Sequence, residues 1–141
     1  MANDAGDFAR SMSIATSGLR AQAGRMRVIS ENIANADSTA PTAGGEPYRR
    51  KIPSFTSALD RTLDAKVVTL GRVRTDQTAF RIKNEPGNPA ADEAGNVKYP
   101  NVNPLVEMTD MREAQRSYEA NLNIISATRR MIQRTLDILK A

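Results

Sequence analysis

All seven prolines of the 141-residue chain lie between Pro41 and Pro104, and this placement constrains the fold more than any other feature. A proline inside a helix costs about 3 kcal/mol, because it lacks an N–H donor and clashes with the preceding turn. Long helices can therefore form before and after this region but not within it. The sequence predicts a mainly α-helical chain whose long terminal helices flank a small β-containing middle, divided into residues 1–34, 35–54, 55–102 and 103–141.

The last segment, residues 103–141, has the pattern of one long helix. Asn103 can accept hydrogen bonds from the first free N–H groups, and Pro104 suits the first helical position. Apolar side chains recur at alternating spacings of three and four, which is typical of a helix that packs against other helices. We call this set the C-terminal seam: Met108, Met111, Gln115, Tyr118, Leu122, Ile125, Arg129, Ile132, Leu136 and Leu139. Its polar members, Gln115 and Arg129, either select register and partner or lie where the seam meets water.

The first segment predicts a second helix from about Phe8 to Ala34, with Asp7 as its cap. It carries a comparable set, the N-terminal seam: Phe8, Met12, Ala15, Leu19, Gln22, Met26, Ile29 and Ile33. We expect the two helices to form an antiparallel, coiled-coil-like pair. They either form a two-helix hairpin within one chain or, because such a layer leaves an apolar flank exposed, also pack on neighbouring subunits. Gly18 and Gly24 either permit close backbone approach or are tolerated at a cost of about 1 kcal/mol each.

The middle of the chain combines a loop with a thin β-rich region. Residues 35–54 are rich in Gly, Pro, Asn and Ser, which predicts a long loop, with Asn35 in the left-handed position after the helix. Short alternating runs at 66–70, 71–75, 79–83 and 97–99 predict strands, and residues 55–63 are either helical or extended. The expected inward residues are Val73, Phe80, Ile82, Val97 and Tyr99. Such a core is small, so we expect it to lean on the helices or on a neighbour.

Composition excludes most catalytic and metal chemistry. The chain has no Cys and no His, which removes disulfides, thiolate zinc sites and histidine proton transfer. The best paired carboxylates are Asp110 with Glu113 and Asp92 with Glu93. The first pair lies where acids favour a helix start, and the second lies in a polar turn. We therefore expect no enzyme, no cofactor and no metal site.

Charge and hydropathy exclude two further classes of partner. The net charge of +4 is spread along the chain rather than gathered in a basic patch, so we expect no nucleic acid. No apolar run reaches the roughly 20 residues of a membrane span, and the N-terminus lacks the pattern of a secretory signal. We expect no membrane span and no cleaved signal peptide.

Two motifs resemble those of the bacterial flagellar axial proteins, the rod and hook family, and most closely its proximal rod members. One is Asn32-Ile33-Ala34-Asn35, near the end of the first predicted helix, and the other is Tyr118-Glu119-Ala120-Asn121, in the last. Residues 12–22, 45–51, 99–103 and 107–111 also agree with the family. The common pattern has Thr where this chain has Ser38, and an insert precedes Tyr48.

The resemblance implies a structural subunit of the basal-body rod, which transmits torque and surrounds the export channel. It implies export through the flagellar type III apparatus without a cleaved signal, and a position in the periplasmic space. The implied partners are copies of the chain, other rod proteins, the basal adaptor and the membrane ring. We expect the terminal helices to fold on assembly, since burial there must offset the ordering entropy. The alternative function is a non-flagellar, cytoplasmic coiled-coil adaptor or regulator.

Overall fold

The computed structural model describes residues 2–140, in which two long helices precede and follow six short strands along the chain. Helix α1 spans Ala2–Ala34 and helix α2 spans Pro104–Lys140. The strands are β1 (Lys51–Ile52), β2 (Phe55–Asp60), β3 (Ala65–Leu70), β4 (Arg74–Thr75), β5 (Arg81–Asn84) and β6 (Asn96–Tyr99). The predicted plan of two terminal helices and a small β-containing middle is confirmed. Residues 1 and 141, the outer limits of the predicted segments, lie outside the described residues.

The two helix starts differ in how well the sequence predicted them. At α2, the backbone N–H of Leu105 donates to Asn103 Oδ1 at 3.1 Å, so the predicted cap is confirmed. The start of α1 was predicted wrongly: the helix begins at Ala2, and Asp7 lies inside it. Asp7 pairs instead with Arg10, one turn later, at 3.5 Å.

Helix α1 ends without the predicted left-handed residue. Among the described residues, only Asp64, Gly44 and Gly95 have a positive φ, so the prediction for Asn35 is wrong. The backbone N–H of Asn35 donates to the Glu31 carbonyl at 3.1 Å, and its side-chain Nδ2 donates to the same oxygen at 2.8 Å. Both bonds continue the right-handed turn, which explains why no reversal of φ is needed.

The strands form three separate antiparallel pairs, β1 with β4, β2 with β3 and β5 with β6. Strands β2 and β3 make a hairpin whose register runs from Phe55 opposite Leu70 to Asp60 opposite Ala65. Asp60 Oδ1 accepts from the N–H groups of Thr62 and Leu63 in its turn, at 2.9 and 3.3 Å. Residues 55–60 are thus extended, which settles the open choice between helix and strand.

The described chain divides into two compact units. The hairpin unit comprises residues 2–26, 54–72 and 113–140, and the core unit comprises residues 27–53 and 73–112. Each unit therefore contains part of α1 and part of α2.

In the hairpin unit, the β2–β3 hairpin lies along α1. Arg10 Nε donates to the Leu63 carbonyl at 2.8 Å, and Val68 N–H donates to Ser17 Oγ at 3.1 Å. A Cβ added at Gly24 would lie 2.8 Å from Leu70 Cδ2, and one at Gly18 would lie 2.9 Å from Asn121 Oδ1. Of the two explanations for these glycines, the structure favours close approach. The buried side chains of this unit are all small: Ala15, Ala21, Ala65, Ala114 and Thr128.

In the core unit, Val97 and Tyr99 on β6 are buried as predicted, and Phe80 is half-buried beneath the Arg49 guanidinium. Val73 and Ile82 are exposed, so their inward assignment is wrong. In β5 the cause is register. Arg81 lies opposite Tyr99 and Lys83 opposite Val97, and directly opposed residues share a face. The charged residues of β5 thus share the buried face of β6, and Ile82 points the other way.

Arg81 and Lys83, the two cations of β5, each have specific partners. Lys83 Nζ lies 4.6 Å from the centre of the Tyr99 ring. Arg81 donates from Nε to the Pro100 carbonyl at 3.0 Å and from Nη2 to the Ala36 carbonyl at 2.8 Å. Arg81 therefore ties β5 to the residues that follow α1.

Candidate assembly site

A buried polar cluster in the core unit is centred on Asn32 of α1. Asn32 Nδ2 donates to the Lys51 carbonyl at 2.8 Å and to Glu107 Oε2 at 3.0 Å. Its Oδ1 accepts from Lys51 N–H at 2.9 Å and from the Tyr48 hydroxyl at 2.8 Å. All four bonding positions of the amide are filled, and Asn32 is 0% exposed. We call Asn32, Tyr48, Arg50, Lys51 and Glu107 the polar lock.

Arg50 supplies the charge that allows Glu107 to be buried. Glu107 is 1% exposed, and an unpaired carboxylate at that depth would cost several kcal/mol. Arg50 Nε donates to Glu107 Oε1 at 2.5 Å. Its Nη atoms lie 3.7 Å from carboxylate oxygens of Asp76 and Asp110. One guanidinium thus joins the first turns of α2 to the segment after β4.

Asn101 extends the lock toward the chain that leads into α2. Its Oδ1 accepts from Arg50 N–H at 2.8 Å, and its Nδ2 donates to Thr78 Oγ1 at 2.9 Å and to the Asp76 carbonyl at 3.1 Å. Asp76 N–H in turn donates to the Arg50 carbonyl at 2.8 Å. Two loops far apart in sequence are held together by these bonds.

The electrostatics of the lock favour one protonation state. Burial, with the charges of Glu31 and Glu107, raises the pKa of the Tyr48 hydroxyl to about 12, so it stays a donor to Asn32. Burial lowers the pKa of Arg50, but the hydrogen bond and charge of Glu107 outweigh it and the pKa is raised overall. Hydrogen bonds from the Thr78 N–H and hydroxyl, followed by the Arg50 charge, hold the pKa of Asp76 below its ordinary value. At neutral pH Tyr48 is therefore a neutral hydrogen-bond donor and Arg50 is a cation.

The residues of the first family motif, Asn32-Ile33-Ala34-Asn35, differ in burial and in bonding partners. Asn32 is the centre of the lock, and Asn35 donates to the Glu31 carbonyl near the end of α1. Ile33 is half-buried and Ala34 is exposed. Glu31, just before the motif, pairs with Lys51 of the lock. The motif therefore fixes how α1 ends and what it joins.

The second motif lies in the hairpin unit. Asn121 is half-buried, donates from Nδ2 to the Ser117 carbonyl at 2.9 Å, and lies beside Gly18. Tyr118 is half-buried, whereas Glu119 and Ala120 are exposed. The two motifs therefore do not form one joint site within a unit.

Every member of the N-terminal seam is at least half-buried, and Ala15 and Ile29 are fully buried. One feature of this seam is unusual: Gln22 Oε1 is buried without a hydrogen-bond partner in the described part of the chain.

The C-terminal seam is only half covered. Met111, Tyr118, Ile125 and Ile132 are half-buried, whereas Gln115 and Arg129 are exposed. The remaining four are between 42 and 65% exposed: Met108, Leu122, Leu136 and Leu139. Ala114, Asn121 and Thr128, which lie between successive half-buried residues of this seam, are themselves buried or half-buried. These small or polar residues recur every seven positions, a signal that a search for large apolar residues misses.

A further uncovered set on α2 was not predicted from the sequence. Ile124, Met131 and Ile138 recur every seven residues and are between 48 and 76% exposed. At 100° per residue they lie about 160° from Leu122, Arg129 and Leu136, so α2 presents apolar side chains in two directions. The seven-residue spacing is the signal that would have found them. Arg50 and Asn101 were also missed as lock residues, because their partners are distant in sequence.

Three of the four predicted carboxylate candidates have structural partners, whereas Glu93 has none among residues 2–140. Asp110 pairs with Arg50, and Glu113 pairs with Arg25 at 3.4 Å. Asp92 Oδ1 accepts from two backbone N–H groups in its own turn. Within residues 2–140, no group of three or more Asp or Glu side chains is placed to hold a metal ion.

None of the helices described here is both long and apolar enough to cross a membrane.

Two family models match the chain in the regions that carry these motifs. The model described as "Flagella basal body rod protein" matches residues 12–40, and that described as "Flagellar basal body rod FlgEFG protein C-terminal" matches residues 93–138. Among similar proteins, "Flagellar basal-body rod protein FlgC" of Agrobacterium fabrum is 52% identical, over 91% of this chain and 92% of the relative. The proteins of that name from Bacillus subtilis and Salmonella typhimurium are 37% and 39% identical, over 92% and 89% of this chain and 97% and 92% of the relatives.

Proposed function

This chain belongs to the FlgC family of flagellar basal-body rod proteins and is a structural subunit of the flagellar rod, and we propose that neighbouring rod subunits complete the packing of its terminal helices. The observation that carries the proposal is the uncovered surface of α2. Of the 15 exposed large apolar side chains among the described residues, nine lie on α2. Apolar side chains in such numbers on one helix are typical of an interaction surface.

The apolar residues of α2 also suggest how many neighbours it needs. Leu122 and Leu136 face one direction, and Ile124 and Ile138 face another. A single partner helix covers only one of these sides. We propose that α2 contacts at least two helices outside its own chain, as in a helical array of subunits.

We further propose that α1 and α2 pair as an antiparallel, coiled-coil-like unit. Two contacts within the hairpin unit support this: Gly18 lies beside Asn121, and Arg25 pairs with Glu113. Gly18 comes before Arg25 in α1, whereas Asn121 comes after Glu113 in α2, as antiparallel helices require. In this arrangement residues 1–34 and 103–141 act as axial helices joined by the loop of 35–54 and the β-rich region of 55–102.

The remaining parts of the proposal concern location and role. The subunit belongs to the proximal rod, transmits torque without catalysing a reaction, and helps to surround the export channel. It reaches the periplasmic space through the flagellar type III apparatus without a cleaved signal. Its partners are its own copies, other rod proteins, the basal adaptor and the membrane ring. Gln115 and Arg129 select partner and register. Support comes from the family membership and from the exposure of both side chains.

The proposal is tested by placing a charge on the uncovered side of α2. We expect Leu122→Asp to abolish swimming and rod completion, because the carboxylate would be buried without a partner between helices. Asn123→Asp, one residue away and exposed, is the matched control and should swim normally. Normal swimming of Leu122→Asp would contradict the proposal.

Export distinguishes the rod from the cytoplasmic adaptor. A tagged chain should leave the cytoplasm only in cells with an intact flagellar export apparatus. Retention in the cytoplasm of flagellated cells would support the adaptor instead.

A further inference from the structure

A small basic groove lies in the core unit beside the polar lock. It has a volume of about 290 Å³, and its charged lining residues are Arg27, Glu31, Lys51 and Arg74. Lys51 and Glu31 pair with each other. Arg27 and Arg74 are exposed, and neither guanidinium has an ion-pair or hydrogen-bond partner among residues 2–140. The groove therefore carries two positive charges that the described chain leaves uncompensated.

The lining of the groove also has an apolar part. Val28 is buried and Val73 is partly exposed in the same groove. Guanidinium groups above an apolar surface suit a carboxylate on a short aliphatic stem, because each guanidinium can donate two hydrogen bonds and the stem covers the valines. The chemistry of the groove thus favours a glutamate side chain.

The same unit contains a glutamate without a partner. Among the nine acidic side chains of residues 27–53 and 73–112, all of which the structure describes, Glu93 alone has no hydrogen bond or ion pair. It is exposed, in the loop between β5 and β6. That loop is held in place: Asp92 Oδ1 accepts from Asn96 N–H at 2.8 Å, and Gly44 N–H donates to the Ala90 carbonyl at 3.1 Å. Glu93 is therefore presented on an ordered loop.

We propose that Glu93 of one copy enters the groove of a neighbouring copy and pairs with Arg27 and Arg74. Groove and glutamate lie on the same unit but do not pair within it, so we place their contact between two copies. Repeated head to tail along successive copies, this contact builds a ring or a helix, as a rod requires. The inference rests on the proposed assembly of this chain with its own copies, and it adds a polar contact between core units.

Charge reversal tests the pair in cells that make the full chain. We expect Arg74→Glu and Glu93→Lys each to reduce swimming, because each places like charges in contact, and we expect the double variant to restore it. From measured charge pairs we expect the swimming of the double variant to differ about three- to tenfold from the product of the two single effects. Lys98→Glu is the matched control, since Lys98 is a cation of the same unit without an ion pair and outside the groove. Circular dichroism of each purified variant shows whether it still folds.

The outcomes separate this inference from the proposed function. Rescue in the double variant supports the pair. If Arg74→Glu reduces swimming but the double variant does not restore it, a different acidic surface fills the groove and the inference is wrong. If both single variants swim normally while Leu122→Asp does not, the inference is wrong and the rod function stands. If Leu122→Asp also swims normally, the proposed function fails.

Crosslinking gives a second readout that does not depend on swimming. The chain has no cysteine, so Arg74→Cys and Glu93→Cys together introduce the only thiols. An Arg–Glu pair holds its Cα atoms farther apart than a disulfide allows, so we use a bifunctional maleimide that spans about 10 Å. In basal bodies we expect it to give dimers and longer ladders from this double variant and none from either single variant. Monomer alone from the double variant would overturn the inference.

Discussion

The hairpin unit and the core unit are made from the same two helices but are stabilised differently. Among side chains whose burial the structure describes, the hairpin unit fully buries only alanines and one threonine, whereas the core unit buries Ile29, Val97, Val102 and Tyr99 around a polar lock. Their charges differ as well: the sequence places 11 bases and seven acids in the first and nine of each in the second. The core unit thus buries more large side chains within itself than the hairpin unit does. In the hairpin unit Leu122, Ile124 and Leu136 of α2 stay exposed, and we propose that neighbouring subunits cover them.

The largest effect should come from removing one partner of the buried ion pair. Glu107→Ala would leave Arg50 and Asn32 without their shared partner, and we expect the core unit to lose about 3–5 kcal/mol. Glu113→Ala, which breaks the exposed pair with Arg25 in the hairpin unit, should cost no more than about 1 kcal/mol. Denaturant unfolding of the monomer measures both. Equal losses of unfolding free energy in the two variants would contradict this difference between the units.

An intermediate effect is expected at high pH and only in the core unit. The folded pKa of Tyr48 is about 12 against an ordinary value of 10.0, so its contribution is fully present below pH 10 and is lost between pH 10 and 12. Tyr48→Phe should therefore flatten the fall in unfolding free energy over that window. Thermal melts at several pH values test this, with Tyr118→Phe in the hairpin unit as the control. An unchanged slope in Tyr48→Phe would contradict the assignment.

The smallest effect concerns the glycines of α1. Gly18→Ala should weaken helix pairing, because the new Cβ would lie within 3 Å of the Asn121 amide. This close contact would offset the stability gained from the helix preference of alanine. Gly6→Ala meets nothing within 4 Å and should stabilise α1 by about 1 kcal/mol. Helicity of assembled rods compares the two. A gain of equal size from both variants would show that close approach at Gly18 is unimportant.

Local patterns predicted those features that depend on neighbouring residues. Prolines located the helices, and Asn103 with Pro104 located the start of α2. The orientation of Ile82 was not predictable, since it depends on which residues of β6 lie opposite β5. The roles of Arg50 and Glu107 were not predictable either, because 57 residues separate them. Asn32 was found through the family motif, but its four hydrogen bonds required the structure.

Hydrogen exchange tests the difference between the units most directly. In a dilute, verified monomer we expect the amides of β5 and β6 to be protected and those of residues 113–140 to exchange rapidly. In purified basal bodies both regions should be protected, because neighbouring subunits then cover α2. Strong and equal protection of residues 113–140 in the monomer would contradict the account, since the helices would then be stable without neighbours.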